Sequence, residues 1–295
     1  MPRPIIVKIG KKTGSRKNII KERATSECSI AVNGTKICSK PSIINTIGKS
    51  IGVKTTDTEQ ILEESKVKLG CGTEKCVLEQ AIKMAPVPIK KELTESLKDD
   101  FKPIGPADST ALLSNIDIDG ILNQMTKKWD ASALHFHMID FDKYENGNTE
   151  LNTVNLADKI NKNMKTFSVV LNTDKYESGG IHWFCLFGDF RGKGTPDDPY
   201  TLEYFNSSGE YPRPSVSAWL HKQQKLISNM NSKPTVVIKQ DMPIAHQKGN
   251  TECGVYSLYY LISRIKNEKD RNFFETVEIP DDEMTEFRKS LFTTK

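Results

Sequence analysis

Residues 246–260 read HQKGNTECGVYSLYY. A polar, glycine-containing loop runs here straight into Cys253, and an apolar stretch with helical spacing continues from it to Lys266. That position has a chemical use. The thiolate is the reactive form of cysteine, and the free N–H groups and positive dipole end of a helix N-terminus stabilise it. Such surroundings bring a thiol pKa from about 8.5 down to roughly 3.5–7.5. Gly254 leaves room where a substrate carbonyl would approach. Gln247, six residues before Cys253, carries an amide that can donate to an oxyanion. A lone cysteine at the head of an apolar helix is nonetheless more often packing than nucleophile, so the weight falls on its partners.

Those partners lie upstream. Residues 182–187 (HWFCLF) and 200–205 (YTLEYF) have the aromatic and β-branched composition of strands, as do 136–141 (FHMIDF), 167–172 (FSVVLN) and 234–239 (PTVVIK). His182 opens one of these strands and Asn206 ends the next. If the two are antiparallel neighbours, the Asn206 oxygen accepts the His182 Nδ1–H and leaves Nε2 for Cys253, the arrangement a nucleophilic cysteine needs. Singly, each residue reads as structural. The order His182, Asn206, Gln247 and Cys253-Gly254 is what points to catalysis. Cys185 should face away from the base and be buried. His246 is too close along the loop to serve Cys253.

The chain has 295 residues, 37% hydrophobic and 27% charged, enough for a sizeable core, and no apolar run long enough to span a membrane. Its net +4 hides an asymmetry, because residues 1–50 hold 11 Lys and Arg against Glu22 and Glu27. The expectation is a basic, partly disordered extension over 1–50, able to hold nucleic acid in a salt-sensitive way. A helical arm domain is expected over 51–125, with helices near 56–68, 74–84, 89–101 and 117–128, and a core domain over 126–295. Strands followed by helices at 214–230 and 253–266 make that core α+β. Six cysteines without a signal peptide read as reduced thiols. Cys71 and Cys76 with His135 and His137 form a zinc set only on paper; the spacing and strand alternation favour packing. No phosphate-binding loop, dinucleotide fingerprint or zincin motif is present, and the chemistry needs no metal or organic cofactor.

His182-Trp183, the YFNS turn around Asn206 and Gln247-x5-Cys253-Gly254 resemble the cysteine proteases related to the SUMO-deconjugating enzymes and the adenovirus protease. The likeness is greatest to the African swine fever virus polyprotein-processing protease family, through LGCGTEKCVLEQ (69–80), FKPIGPADSTALLSNIDID (101–119), VLNTD (170–174), LEYFNSSGEYPRP (202–214) and DDEMTEFRKSLF (281–292). The resemblance implies a papain-like-superfamily core with a helical N-terminal arm. It also implies an endopeptidase cutting viral structural polyproteins after Gly-Gly during particle maturation, in the virion and host cytoplasm. Carried over, Cys253 is the nucleophile, His182 the base, Asn206 the orienter, where many relatives have Asp, and Gln247 the oxyanion donor. Trp183 is a candidate wall of a narrow substrate tunnel. Removal of a ubiquitin-like modifier, or a scaffold role for the basic head, are the alternatives.

Overall fold

The computed structural model describes residues 20–34, 36–108, 111–129, 132–137, 150–174, 181–230, 235–242 and 244–294. The described residues form two compact units, one built from 20–108 with 288–294, the other from residues between Ser109 and Phe287.

The first unit is helical: α1 (Pro41–Ser50), α2 (Thr58–Leu69), α3 (Glu74–Met84) and α4 (Val87–Asp100). Asp57 caps α2 by accepting from Gln60 N–H, and Gly70, at φ 65°, ends it in the left-handed conformation. Thr73 caps α3 in the same way through Cys76 N–H. Ile43, Ile44, Ile47, Ile61, Leu62, Val77, Leu78, Leu93 and Phe101 make one apolar core. Helix α1 corrects the reading of residues 1–50 as an extension. Pro41 sets its first turn, and three isoleucines supply a buried stripe too short to show as a sustained period. The most basic stretch, residues 1–19, lies outside the described residues.

The expectation of reduced thiols is also corrected, because Cys28–Cys38 and Cys71–Cys76 are disulfides. Cys71 follows the Gly70 stop and Cys76 lies in the first turn of α3, so the turn between helices brings their Cα atoms to 5.6 Å. The paired sulfurs are closed to zinc, and no metal-holding group occurs among the described residues.

The second unit is α+β. A five-stranded sheet runs β1 (Ser132–His137), β2 (Thr166–Asn172), β3 (Trp183–Asp189), β4 (Tyr200–Phe205), β5 (Val237–Met242) in spatial order. The two outer pairings are parallel and the two central ones antiparallel. The first and last strands sit a few residues from their expected places; residues 138–149, 231–234 and 243 lie outside the described ones. The helices along this part of the chain are α5 (Asn115–Lys128), α6 (Glu150–Thr153), α7 (Leu156–Asn161), α8 (Pro214–Ser228), α9 (Cys253–Ile265), α10 (Arg271–Thr276) and α11 (Asp281–Leu291), the last of which runs into the first unit at Arg288. The unit boundary falls at residue 108, ahead of α5, because α5 packs on β1 and α9. The expected boundary at 125 divided that helix from its partners.

Strand alternation sorts the sheet into two faces. Phe167, Val169, Leu171, Phe184, Leu186, Leu202 and Tyr204 join Val216, Trp219 and Leu220 of α8 in one core. The other face receives α9, all thirteen residues of which are buried. Its stripe Cys253, Ser257, Tyr260, Arg264 meets β3 and β4. Cys185 Sγ lies 3.7 Å from Ser257 O, and Phe205 stacks on Tyr260 with centroids 4.4 Å apart. Buried Glu203 on β4 accepts from Tyr260 Oη at 2.6 Å and from Arg264 Nε and Nη2 at 2.9 and 2.7 Å. A fully paired internal charge therefore fixes how far α9 slides along the sheet.

Candidate active site

The register places the site. Cys185 pairs with Phe205, so β3 begins at the sheet end where β4 finishes, and His182 and Asn206 lie just past the paired residues. His182 Nε2 is 2.7 Å from Asn206 Oδ1. Asn206 Oδ1 also accepts Ser208 N–H at 3.1 Å, and its Nδ2 donates to Tyr204 Oη at 3.2 Å. A backbone N–H can only donate, so it identifies that atom as oxygen, and His182 Nε2 must then carry the proton. The basic nitrogen of neutral His182 is Nδ1. The expected tautomer was the reverse. Asn206 is displaced diagonally from His182 across the strand pair, and the outer ring nitrogen is the one that spans that offset.

Cys253 is the first residue of α9 and is 1% exposed. The N-cap residue, Glu252, makes no side-chain cap bond to this helix start. Burial pushes the Cys253 thiol up, opposed by backbone N–H groups of Trp183, Gly254 and Cys253 itself that approach the sulfur. The thiol therefore stays raised where a lowered one was expected, because desolvation of the buried sulfur exceeds what these N–H contacts return. The Trp183 N–H contact puts the sulfur beside the residue that follows His182. The Trp183 indole is buried and donates to Leu113 O at 2.8 Å. A Cβ at position 254 would meet Trp183 Cδ1 at 3.1 Å and Leu113 Cβ at 3.2 Å, so the glycine lets both residues pack closely against the start of the helix.

Gln247 joins the same sheet end through the turn after Asn206. Its N–H donates to Ser207 O at 2.9 Å, its Oε1 accepts from Ser207 Oγ at 2.7 Å, and its Nε2 donates to Gly249 O at 2.9 Å. Asp281 Oδ2 accepts from Lys248 and Gly249 N–H at 3.0 and 2.7 Å, and Asp281 Oδ1 lies 2.8 Å from Tyr256 Oη on α9. Hydrogen bonds therefore run without a gap from the helix of Cys253 through Asp281 and the Gln247 loop to Ser207. Ser207 and Asp281 were not singled out from sequence. The only available signals were a serine beside Asn206 and an aspartate after Pro280, both common turn features.

His246 is held elsewhere. Its Nδ1 accepts Ile279 N–H at 3.2 Å, its ring packs against Phe205 and Tyr256, and burial pushes its pKa down to about 4. Cys185 is fully buried, as expected.

Comparison with known proteins supplies the family. The chain is 34% identical over 244 residues to a SUMO-1 cysteine protease of African swine fever virus, covering 78% of this chain and 85% of that one. It is 26% identical to the "Putative thiol protease R355" of Acanthamoeba polyphaga mimivirus, over 72% and 68% of the two chains. A crystal structure of the African swine fever virus protease superposes with a TM-score of 0.63 at 27% identity, covering 92% of this chain and 96% of that one. Residues 120–295 match the Ulp1 protease family, C-terminal catalytic domain. The chain belongs to the Ulp1 protease family and is a cysteine protease.

Proposed function

We propose that this protein is a viral endopeptidase that cleaves structural polyprotein precursors after Gly-Gly. Cys253 is its nucleophile, His182 its base, Asn206 the orienter of that base and Gln247 an oxyanion donor. The observation that carries the reading is the 2.7 Å bond from His182 to Asn206, with Cys253 at the head of a buried helix beside Trp183. His182 Nδ1 takes the thiol proton. The sulfur attacks the carbonyl of the second glycine, and the oxyanion is held by Cys253 N–H and Gln247 Nε2. The imidazolium then protonates the leaving amine to give a thioester, and His182 activates water to release the acid. Asn206 is neutral, so it fixes the ring without offsetting the imidazolium charge; the N–H groups at the start of α9 carry that task on the sulfur side. Trp183, the residue after His182, is the candidate wall of a narrow tunnel that excludes residues with a Cβ.

The name of the African swine fever virus relative raises a second substrate class, a SUMO-like modifier joined through an isopeptide bond. The chemistry is the same, so substrates separate the two. A linear Gly-Gly peptide and a modifier conjugate are incubated with wild type, Cys253→Ala and His182→Ala, and mass spectrometry locates the cut. Cleavage of the peptide after the second glycine by wild type alone supports the proposal. Cleavage of the conjugate alone replaces it with deconjugation. With neither cut, and salt-sensitive nucleic-acid binding that survives Cys253→Ala, a scaffold role for the basic residues 1–50 takes its place.

A further inference from the structure

We propose that Ser207 is the positioning residue of the oxyanion site; this rests on the oxyanion role of Gln247 given above. A carboxamide has two ends of nearly equal size, and only its N–H end can stabilise a developing negative charge. Turned the other way, it would present Oε1, which repels the oxyanion. Something must hold the correct face forward. Ser207 is 1% exposed, and its Oγ–H donates to Gln247 Oε1 at 2.7 Å. Its carbonyl accepts Gln247 N–H at 2.9 Å, so one residue grips both the backbone and the side chain of the donor. One Nε2–H is then spent on Gly249 O at 2.9 Å, and the second is left for substrate.

The placement has a further consequence. Ser207 follows Asn206, so two consecutive residues of one turn set the two halves of the machinery. Asn206 fixes the His182 tautomer through a 2.7 Å bond, and Ser207 fixes the Gln247 carboxamide through another of the same length. The Gly209 N–H donating to Asn206 O at 2.9 Å closes the turn and holds both in register. Proton transfer and oxyanion binding are thereby aligned by a single short segment at the end of β4.

The test compares wild type, Ser207→Ala, Gln247→Ala and the double variant, with rates expressed per alkylatable Cys253 so that misfolded molecules do not count. Loss of an oxyanion donor costs about 10²–10³ in kcat, and a carboxamide held at its Nε2 end alone, by Gly249 O, forfeits part of this. Ser207→Ala is expected to lower kcat by about tenfold or more with KM within about twofold. It should weaken a Gly-Gly peptide aldehyde, which forms an oxyanion on Cys253, by a similar factor. The rate of iodoacetamide alkylation, which forms no oxyanion, should stay at the wild-type value. Added to Gln247→Ala, the serine substitution should have little further effect.

Unchanged kcat in Ser207→Ala, with Gln247→Ala impaired, overturns the positioning role alone. Alkylation slowing in step with kcat also overturns it, because the effect would then run through Asn206 and His182. A silent Gln247→Ala removes the oxyanion assignment itself, and the proposal with it.

Discussion

Replacing Glu203 by Gln tests whether the charge buried under the sheet holds the helix that starts at Cys253 in place. The Glu203 carboxylate is fully buried and accepts four hydrogen bonds: Thr201 Oγ1 and Tyr260 Oη at 2.6 Å, Arg264 Nη2 at 2.7 Å and Arg264 Nε at 2.9 Å. Burial alone would push the Arg264 guanidinium down, and the Glu203 hydrogen bonds and charge reverse this. Gln keeps the shape but removes the charge and turns an N–H2 toward donors. Arg264 then keeps one of its two bonds to residue 203, on the remaining oxygen, with Asp189 at 3.3 Å and the Lys269 carbonyl at 3.2 Å, and loses the ionic partner of its buried charge. Removing one partner of a buried pair costs about 3–5 kcal/mol, mostly the desolvation of the charge left behind. Urea unfolding followed by tryptophan fluorescence should show a loss in that range. The paired change Glu203→Leu with Arg264→Met should recover most of it, since no charge is then stranded. Glu203 lies three residues before Asn206, and Arg264 eleven after Cys253, so peptide cleavage per folded molecule should also fall in Glu203→Gln. A loss below about 1 kcal/mol with full cleavage would refute the reasoning, because the cluster would then neither carry net stability nor set the helix position.

Three further outcomes are expected. Because burial pushes the Cys253 thiol up, His182→Ala should be alkylated slowly at neutral pH, its rate rising only beyond the usual thiol range; a neutral-pH rate equal to wild type would contradict this. Since the His246 pKa falls to about 4 on burial, against about 6.5 unfolded, the folded state binds fewer protons between those values. Its stability contribution is complete above about 6.5 and is lost as pH falls toward 4, by at most about 3 kcal/mol. His246→Asn, which keeps an acceptor for Ile279 N–H, should flatten that part of a stability-versus-pH curve measured by urea unfolding. Asp281→Ala strips the acceptor from Lys248 and Gly249 N–H. Hydrogen exchange at those two amides should quicken by about tenfold, and kcat should fall less than in Gln247→Ala, while unchanged exchange would show that the loop holds without Asp281.

Local sequence chemistry carried the elements whose period is complete within a few turns. Helix α3 at Glu74–Met84, strand β4 at Tyr200–Phe205 and the start of α9 at Cys253 stand where spacing puts them. Helix α1 was missed because its stripe of three isoleucines is shorter than a sustained pattern. The disulfides were missed because pairing of Cys28 with Cys38 depends on chain reversal, which composition does not encode.

The candidate site divides along the same line. His182, Asn206, Gln247 and Cys253 were legible because each residue type is chemically particular and the four recur in a known order. Their geometry was not. The His182 tautomer follows from a diagonal strand offset and from Ser208 N–H on Asn206 Oδ1. The raised Cys253 thiol follows from burial that a helix start does not reveal. Ser207 and Asp281 join the site through side chains 40 and 32 residues from their partners in sequence. The sequence by itself determined which groups can react, since that is a property of the residues. Which nitrogen bears the proton, which end of the Gln247 amide meets Ser207 and what the thiol's surroundings cost were decided only by tertiary structure, because each depends on atoms brought together by folding.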